Sequence, residues 1–518
     1  MGELQRLKGV NVANHLEKRK LLIAINSIAA LSIFFFGYDQ GMMGGVNTAK
    51  DYIELMGFGY VDHGVVVVTD SLLQGGIVSV YYLGTLFGCL LGGWVGDKVG
   101  RIKTIAFGAL WAIVGAILQC SSQNHQWMIC ARAVNGIGTG ILNAIVPVWA
   151  TETAEHTSRG QFIAIEFTLN IFGVVVAYWL EFGLSFVDGG NSSIAWRFPI
   201  AFQIIPLLVL LGVVWFFPES PRWLTKVGRD EEARYILRRL RGTDAAGESK
   251  ADAEYHDIRN IVALEAKEST NNSYFHMLFG IGSGELHTGR RVQLVIWLQI
   301  IQEWVGIAGV TVYAPTIFGI AGYDSTKSAW ISGLNNIFYM FATLICVFTL
   351  DRIGRRWTLY WGAAGQGIAM FLAGAFSRLG QDASNAGDSE KAASFGAAAA
   401  SFVFIFTSVF GATWLTVPWL YPAEIFPLQV RAKGNAWGVV GWSVGNGWLT
   451  LLCPVMFDAI GEKTWVWDAE KTFARLKAER PELLGTAHPE QRIIDTEAGV
   501  IITSADNKAD EISASQHA

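Results

Sequence analysis

The chain alternates apolar runs of about 20 residues, the length that crosses roughly 30 Å of hydrocarbon, with short polar connections. Runs over 21–40, 66–95, 102–120, 127–149, 161–184 and 198–217 form one group, and runs over 292–319, 329–350, 357–376, 397–421 and 435–459 a second, which predicts eleven membrane-spanning helices. Residues 218–290 are the one long break. Their Glu, Arg and Lys at helical spacing, as in "RDEEARYILRRLRG", predict either short amphipathic helices or a solvated linker. The expected division is a cytoplasmic N-terminus (1–20), a first bundle (21–217), a cytoplasmic helical loop (218–290), a truncated second bundle (291–460) and a polar, largely disordered tail (461–518).

Composition agrees with this pattern. The chain is 52% hydrophobic and 16% charged, with 57 Gly and a mean hydropathy of +0.34, against roughly 25% charged residues in an average soluble domain. An all-α polytopic membrane protein is expected. The net charge of -5 says little, because the placement of Lys and Arg decides orientation. Connections after even-numbered runs hold Lys98, Arg101 and Lys103, then Arg159, then the series from Arg222 to Arg241, then Arg352, Arg355 and Arg356, then Arg431 and Lys433. Those after odd-numbered runs are poor in base. The N-terminus and the middle loop are therefore expected in the cytoplasm, which makes "NSS" at Asn191 an outside glycosylation sequon and leaves "NNS" at Asn271 inert. Cys89, Cys120, Cys130, Cys346 and Cys453 lie in or beside apolar runs without paired spacing and read as free thiols. No small-residue cleavage site follows the basic N-terminus, so no cleavable signal peptide is expected. The sequence shows no cluster of metal ligands, nucleophile motif or nucleotide loop, so no enzyme, metal, cofactor or nucleic-acid partner is expected.

One acid interrupts the first run. In "LLIAINSIAALSIFFFGYDQGMMGG", residues 21–45, Asp39 is the single charged group, and an ionised carboxylate at the bilayer centre costs about 2.5 to 3.5 kcal/mol on insertion scales. Two placements meet that cost: a helix end in water, or a cavity or cationic partner inside the protein. The glycines that follow favour an unwound helix end or close packing, either of which exposes the acid to a central cavity.

The two groups of runs echo each other. "GDKVGRIK" sets Asp97 and Arg101 four apart after the second run, and "LDRIGRRW" sets Asp351 and Arg355 four apart after the eighth. Glu152 and Arg159 after the fourth run are seven apart, as are Glu424 and Arg431 after the tenth. Internal duplication of this kind marks secondary transporters, whose substrate site lies between the halves near the midplane. Acid and base at neighbouring helix ends predict ion pairs that latch the halves together on the cytoplasmic side. Exposed pairs are worth about 0 to 1 kcal/mol each, so a network is required.

"FGYDQGMMGG", "GGWVGDKVGR", "ARAVNGIGTG", "PVWATE", "PESPRWL", "DRIGRR" and "VPWLYPAEIFPLQVRAKG" resemble the ordered motifs of the sugar porter family of the major facilitator superfamily, in the style of its fungal members. The likeness runs from about residue 20 to 465. It implies twelve helices in two bundles and alternating access to one sugar at a time. It also implies that Asp39 is the proton-binding carboxylate of proton-coupled members and Arg132 its partner. A nearby Arg favours the ionised form of a buried acid and desolvation the protonated form, so small changes in geometry load and release a proton. Gln302, Trp419, Trp442 and Asn446 match family positions in the seventh, tenth and eleventh spans, where amides hydrogen-bond hydroxyls and an indole stacks on a sugar ring. Phe167, Glu303, Ala308, Tyr339 and Gly441 stand where the family pattern has amides, and those losses count against glucose itself. Glu303 adds an acid that is either a second proton site or a strong hydroxyl acceptor, and Glu166, beside Phe167, could supply another.

The expected function is proton-coupled uptake of a monosaccharide or polyol by a monomer in the plasma membrane. The alternatives are an uncoupled, facilitative carrier and a non-transporting sugar sensor. After Ile460 the family pattern continues with a twelfth span, whereas "GEKTWVWDAEKTFARLKAERPELLG" turns polar at once. Eleven spans taken literally put the C-terminus outside.

Overall fold

The computed structural model describes residues 11–62, 65–154, 159–268, 273–281, 287–426 and 430–460. Residues 1–10 and the whole predicted tail 461–518, where the twelfth span was sought, lie outside the described residues.

Helix α1 (Lys18–Val46) fills the first run and is followed by the short α2 (Lys50–Met56) and an antiparallel hairpin, β1 (Gly59–Asp62) and β2 (Val65–Val68), in register from Gly59 opposite Val68 to Asp62 opposite Val65. The run placed at 66–95 thus begins inside a strand: the four β-branched valines of β2 favour the pleat. The span itself starts at α3 (Ser71–Val99), where Asp70 accepts the N–H of Leu73 at 2.8 Å. Then come α4 (Arg101–Cys120), α5 (His125–Thr153) and α6 (Arg159–Leu184). The sixth run is α7 (Ile194–Phe202) and α8 (Ile204–Val213); Pro206 has no N–H for the carbonyl of Phe202, and the helix breaks there.

The middle segment is helical: α9 (Pro221–Lys226), α10 (Asp230–Arg241), α11 (Ala245–Glu268) and α12 (Tyr274–Phe279). It is tied to the N-terminal segment by Arg239, which donates to the carbonyls of Ala13 (2.7 Å) and Leu16 (3.1 Å), and by the Tyr235 hydroxyl on Asn14 (3.0 Å).

The second half runs α13 (Thr288–Trp304), α14 (Ile307–Val312), α15 (Ala314–Ile320), α16 (Ser325–Ile353), α17 (Arg355–Asn385), α18 (Ser389–Thr413), α19 (Val417–Ile425) and α20 (Arg431–Ile460). All eleven predicted runs are occupied by helix, and nine stretches among the described residues are long and apolar enough by themselves to cross a membrane. The seventh run falls short because it is three short helices, broken at Gly306 (φ 102°) and before Pro315. The ninth, α17, is long, but "GAAGQG" dilutes its apolar centre. Phe87, Leu110, Phe341, Phe348 and Trp361 face outward from their helices, as lipid-facing positions do.

Within the halves, glycine lets helices touch backbone to backbone. A β-carbon at Gly37 would overlap the carbonyl of Asn170 between α1 and α6, and one at Gly88 the carbonyl of Ile137 between α3 and α5. Such close approach is the usual basis of helix association in lipid. The repeated "G-R" of the two halves has a local cause: Gly100 and Gly354 join α3 to α4 and α16 to α17 with φ of 103° and 85°, a conformation that strains any residue with a β-carbon.

Candidate functional site

The "PESPRWL" segment explains itself at the α3–α4 junction. Glu219 accepts the backbone N–H groups of Arg101 (2.9 Å) and Ile102 (3.2 Å), two donors that a helix start leaves unpaired, and Trp223 donates its indole N–H to the carbonyl of Asp97 (3.0 Å). Burial raises the Glu219 carboxyl above the usual range, and the three backbone N–H groups around it, with Arg101, pull the other way.

The charged echoes make pairs, but within halves. Arg101 holds Glu152 in a two-pronged contact, Nε to Oε2 at 3.0 Å and Nη2 to Oε1 at 3.1 Å, gives Nη1 to the carbonyl of Gly96 (2.8 Å) and lies 3.5 Å from Asp97. Arg355 holds Glu424 at 2.7 Å. Both partners of the first pair lie between α4 and α5, and both of the second in the second half. The expected latch across the halves is therefore corrected for these four residues: "GDKVGR" brings its arginine to the end of the next helix pair, not to the other bundle. Arg431 donates to the carbonyl of Phe426 (3.4 Å); the side chains of Arg159 and Asp351 lie outside the described residues. Among the described residues the halves meet at this end through neutral bonds. Asn435 of α20 donates to the carbonyls of Asn143 (3.3 Å) and Ala144 (3.0 Å) of α5 and Tyr274 to the carbonyl of Leu90 (2.8 Å), while Thr85 meets Ser443 at 2.7 Å near the middle of α3 and α20.

About three-quarters of the way along α1, toward its Val46 end, Asp39 is fully enclosed, at 0% exposure, and Arg132 of α5 is 2% exposed. Arg132 Nη1 lies 3.9 Å from Asp39 Oδ1, to which Asn135 Nδ2 also donates at 3.1 Å, and the guanidinium sits over the Tyr81 ring at 4.7 Å. Asp39 Oδ2 and Arg132 Nε have no hydrogen-bond partner among the described residues. The pair is loose and enclosed. Asn135 was not singled out in the sequence, although it stands one helical turn beyond Arg132 and so shares its face.

Phe167 (α6), Trp419 (α19) and Trp442 (α20) come together at the centre with Phe36 of α1 and Tyr82 of α3, neither picked out from the sequence. Phe36 lies 5.1 Å from Trp442, Phe167 5.2 Å from Trp419, Tyr82 5.3 Å from Trp442 and the two indoles 5.9 Å apart, centroid to centroid. Three of these rings come from the first half and two from the second, so the cluster spans the boundary. Around it, Glu303 is buried with Oε2 unbonded, its stem packed against Gly445, and Asn446 keeps Oδ1 unbonded while Nδ2 donates to the carbonyl of Trp442 (3.3 Å). Gln302 spends its amide N–H on the carbonyls of Trp414 (3.0 Å) and Leu415 (3.1 Å), where α18 ends, and retains a free Oε1. Tyr339 packs on Phe410 at 6.1 Å and over Gly411. Glu166 is buried with neither oxygen bonded. It lies about 100° around α6 from Phe167, on the side where Asn170 and Gly173 meet α1.

At the other end of the helices a cavity of about 1110 Å³ separates the halves, lined among others by Asn47, Tyr178, Glu181, Tyr313, Tyr323 and Phe457. It reaches the surface at Phe186 and Asn191, which are exposed. Its floor is closed between halves by the Tyr178 hydroxyl on the carbonyl of Thr311 (2.6 Å), with Tyr313 donating to the carbonyl of Thr450 (3.0 Å). Neither Asp39 nor the central indoles line it. Asn191 stands at the rim and donates to the carbonyl of Asp188 (3.0 Å).

A helical bundle of two echoing halves, joined at one end, parted at the other and enclosing an ion pair and an aromatic centre, is the architecture of a secondary transporter of the major facilitator type. A family model described as "Sugar (and other) transporter" matches residues 25–474, and the chain belongs to that family. It is 32% identical over 439 residues to the MFS-type transporter oryC of Aspergillus oryzae, covering 85% of this chain and 77% of that protein. It is 31% identical over 462 residues to Sugar transporter STL1 of Saccharomyces cerevisiae, covering 87% and 75%. Among solved structures, the proton:xylose symporter XylE bound to 6-bromo-6-deoxy-D-glucose superposes with a TM-score of 0.70 at 22% identity, covering 88% of this chain and 95% of that one. The protein is a membrane transporter and not an enzyme.

Proposed function

We propose that this transporter takes up a neutral monosaccharide or polyol together with a proton, by alternating access, with Asp39 and Arg132 as the coupling pair. The observation that carries the reading is the enclosed, loosely held Asp39–Arg132 pair, at 3.9 Å. A carboxylate with one oxygen free and a cation just beyond hydrogen-bond reach can exchange a proton for a tightened contact at little cost in rearrangement. Support for the cargo class comes from the five-ring cluster with Gln302, Glu303 and Asn446 beside it, a surface able to stack a ring and accept hydroxyl protons, and from relatives named as sugar transporters. Gating runs through the neutral bonds of Asn435, Thr85 and Tyr178, while Asp97, Arg101, Glu152, Arg355 and Glu424 brace each half, with Arg159, Asp351 and Arg431 at the matching helix ends. The N-terminus faces the cytoplasm and the cavity faces outward, at the plasma membrane, which makes Asn191 available for glycosylation.

Moving one charge down 100 mV supplies about 2.3 kcal/mol, roughly fiftyfold accumulation. The test is external pH in a weakly buffered suspension of transporter-null yeast expressing the chain, on addition of hexoses, pentoses and polyols in turn. Alkalinisation with one of them, abolished in Asp39→Asn, is expected. Concentrative uptake that survives in Asp39→Asn would refute the coupling role, and uptake that stops at equal concentrations with no pH change would leave a facilitative carrier.

A further inference from the structure

Helix α6 carries a second buried acid with no part in the coupling pair. Glu181 is 7% exposed; its Oε2 accepts the N–H of Gly45 at 3.0 Å, and its Oε1 has no hydrogen-bond partner among the described residues. The residue lines the cavity, so it stands where outside water ends and the closed centre begins. Gly45 makes room for it, since a β-carbon there would occupy the carboxylate's position.

The neighbouring charges are otherwise engaged or distant in function. On α2, Asp51 accepts the indole N–H of Trp196 (2.7 Å), and Lys50 lines the cavity without forming an ion pair with Glu181. On α7, Arg197 donates to the carbonyls of Cys120 and Ser122. At the start of α16, Asp324 caps the N–H of Lys327 (3.3 Å). Asp188, just after α6, accepts through its backbone from Asn191. On α1 the nearest acid is Asp39, six residues before Gly45 and therefore about 9 Å along the helix axis. Also on α1, Tyr38 donates its hydroxyl to the carbonyl of Pro199 (2.8 Å). A carboxylate buried without a cation takes up a proton readily, and this one lines the cavity.

We propose that Glu181 is a proton-binding site at the floor of the cavity, a port through which protons from the outside reach Asp39; it rests on the coupling reading above. Oε1 takes a proton from hydronium, leaving water and a neutral carboxylic acid. When the floor opens, that acid passes the proton through water to the Asp39 carboxylate, and Glu181 returns to its ionised form. No other reactant is needed.

The experiment uses the full chain in lipid nanodiscs, with the proton itself as probe. Infrared pH-difference spectra record the carbonyl stretch of each carboxyl that titrates. Glu181→Gln is expected to remove one titrating band, and in cells to move half-maximal uptake toward acid by about 0.5 to 1 pH unit, a threefold to tenfold weaker apparent proton affinity, with uptake at saturating acid retained. Glu181→Asp should return both. An unchanged spectrum overturns the proposal, and so does a lost band with an unmoved pH profile. Should Glu181→Gln fail to fold, Glu181→Asp alone decides: the titrating carbonyl band should move in frequency, because an aspartic acid replaces a glutamic acid, and a spectrum with every titrating band at the parent frequency overturns the proposal. Failure of the coupling reading shows separately, as concentrative uptake by Asp39→Asn, whatever the Glu181 band does.

Discussion

Replacing Arg101 by Met separates bracing from latching. Arg101 and Glu152 are 3% and 2% exposed at their side chains and share two hydrogen bonds, with a third from Arg101 to the carbonyl of Gly96. The substitution takes away the cation bonded to the buried Glu152 carboxylate, leaving it the Ser220 hydroxyl and the charge of Arg222, and breaking a buried pair in this way typically costs about 3 to 5 kcal/mol. The carbonyl bond adds about 0.5 to 1.5 kcal/mol. Because both residues belong to one half, that loss falls on folding of the half, and not on the balance between states. The midpoint for loss of monodisperse protein, followed by fluorescence-detected gel filtration after heating, should fall by about 5 to 15 °C. Arg101→Met combined with Glu152→Leu removes the stranded charge and should recover most of the loss, because an apolar pair often replaces a buried ion pair at no net cost. A single variant that melts within about 1 °C of the parent would refute the reasoning. A double variant as unstable as the single one would refute it too.

Two further outcomes follow from packing and from the seam between halves. Gly88→Val should lower the same midpoint, since its side chain must displace the backbone of Ile137 at a cost of about 1 to 3 kcal/mol, whereas Gly76→Ala, with open space around it, should not. Asn435→Leu removes two bonds across the closed end, about 1 to 3 kcal/mol together. Labelling of the buried Cys89, whose thiol points to the carbonyl of Ala436 in the same seam, by a membrane-permeant thiol reagent should then quicken at least fivefold. Unchanged labelling would remove Asn435 from the gate.

What the sequence made legible follows from the solvent it is built for. A bilayer obliges every span to be predominantly apolar and to satisfy its backbone internally, here as helix, so the runs could be located to within a turn or two. Breaks inside a run could not, because at Pro206 and Gly306 hydropathy is blind to backbone geometry. The valines of β2 were absorbed into a span for the same reason. At the site, type was readable and direction was not. Asp39 was found as a charge in an apolar run and Arg132 through the family resemblance, but nothing in the spacing of Arg101 and Glu152 says which bundle they face. Gln302 could be matched to a position, while the carbonyls of Trp414 and Leu415 that claim its amide are distant in sequence. Glu181 was within reach, since an acid in the run 161–184 poses the same question as Asp39 but belongs to no motif.

The cavity above Tyr178, about 1110 Å³, lies just above the range usual for drug-sized molecules, far roomier than one small carbohydrate requires. A compound could therefore jam the carrier without resembling what it carries, by filling the cavity and holding the floor from moving. Such a blocker would act from one face of the membrane only, and the sidedness of inhibition would report the carrier's orientation in a sealed vesicle. Its contacts would be with Phe186, Tyr323 and Phe457 and not with the central rings, so selectivity between this carrier and others of its kind could be sought at the rim, where chemistry is free of the demands of transport.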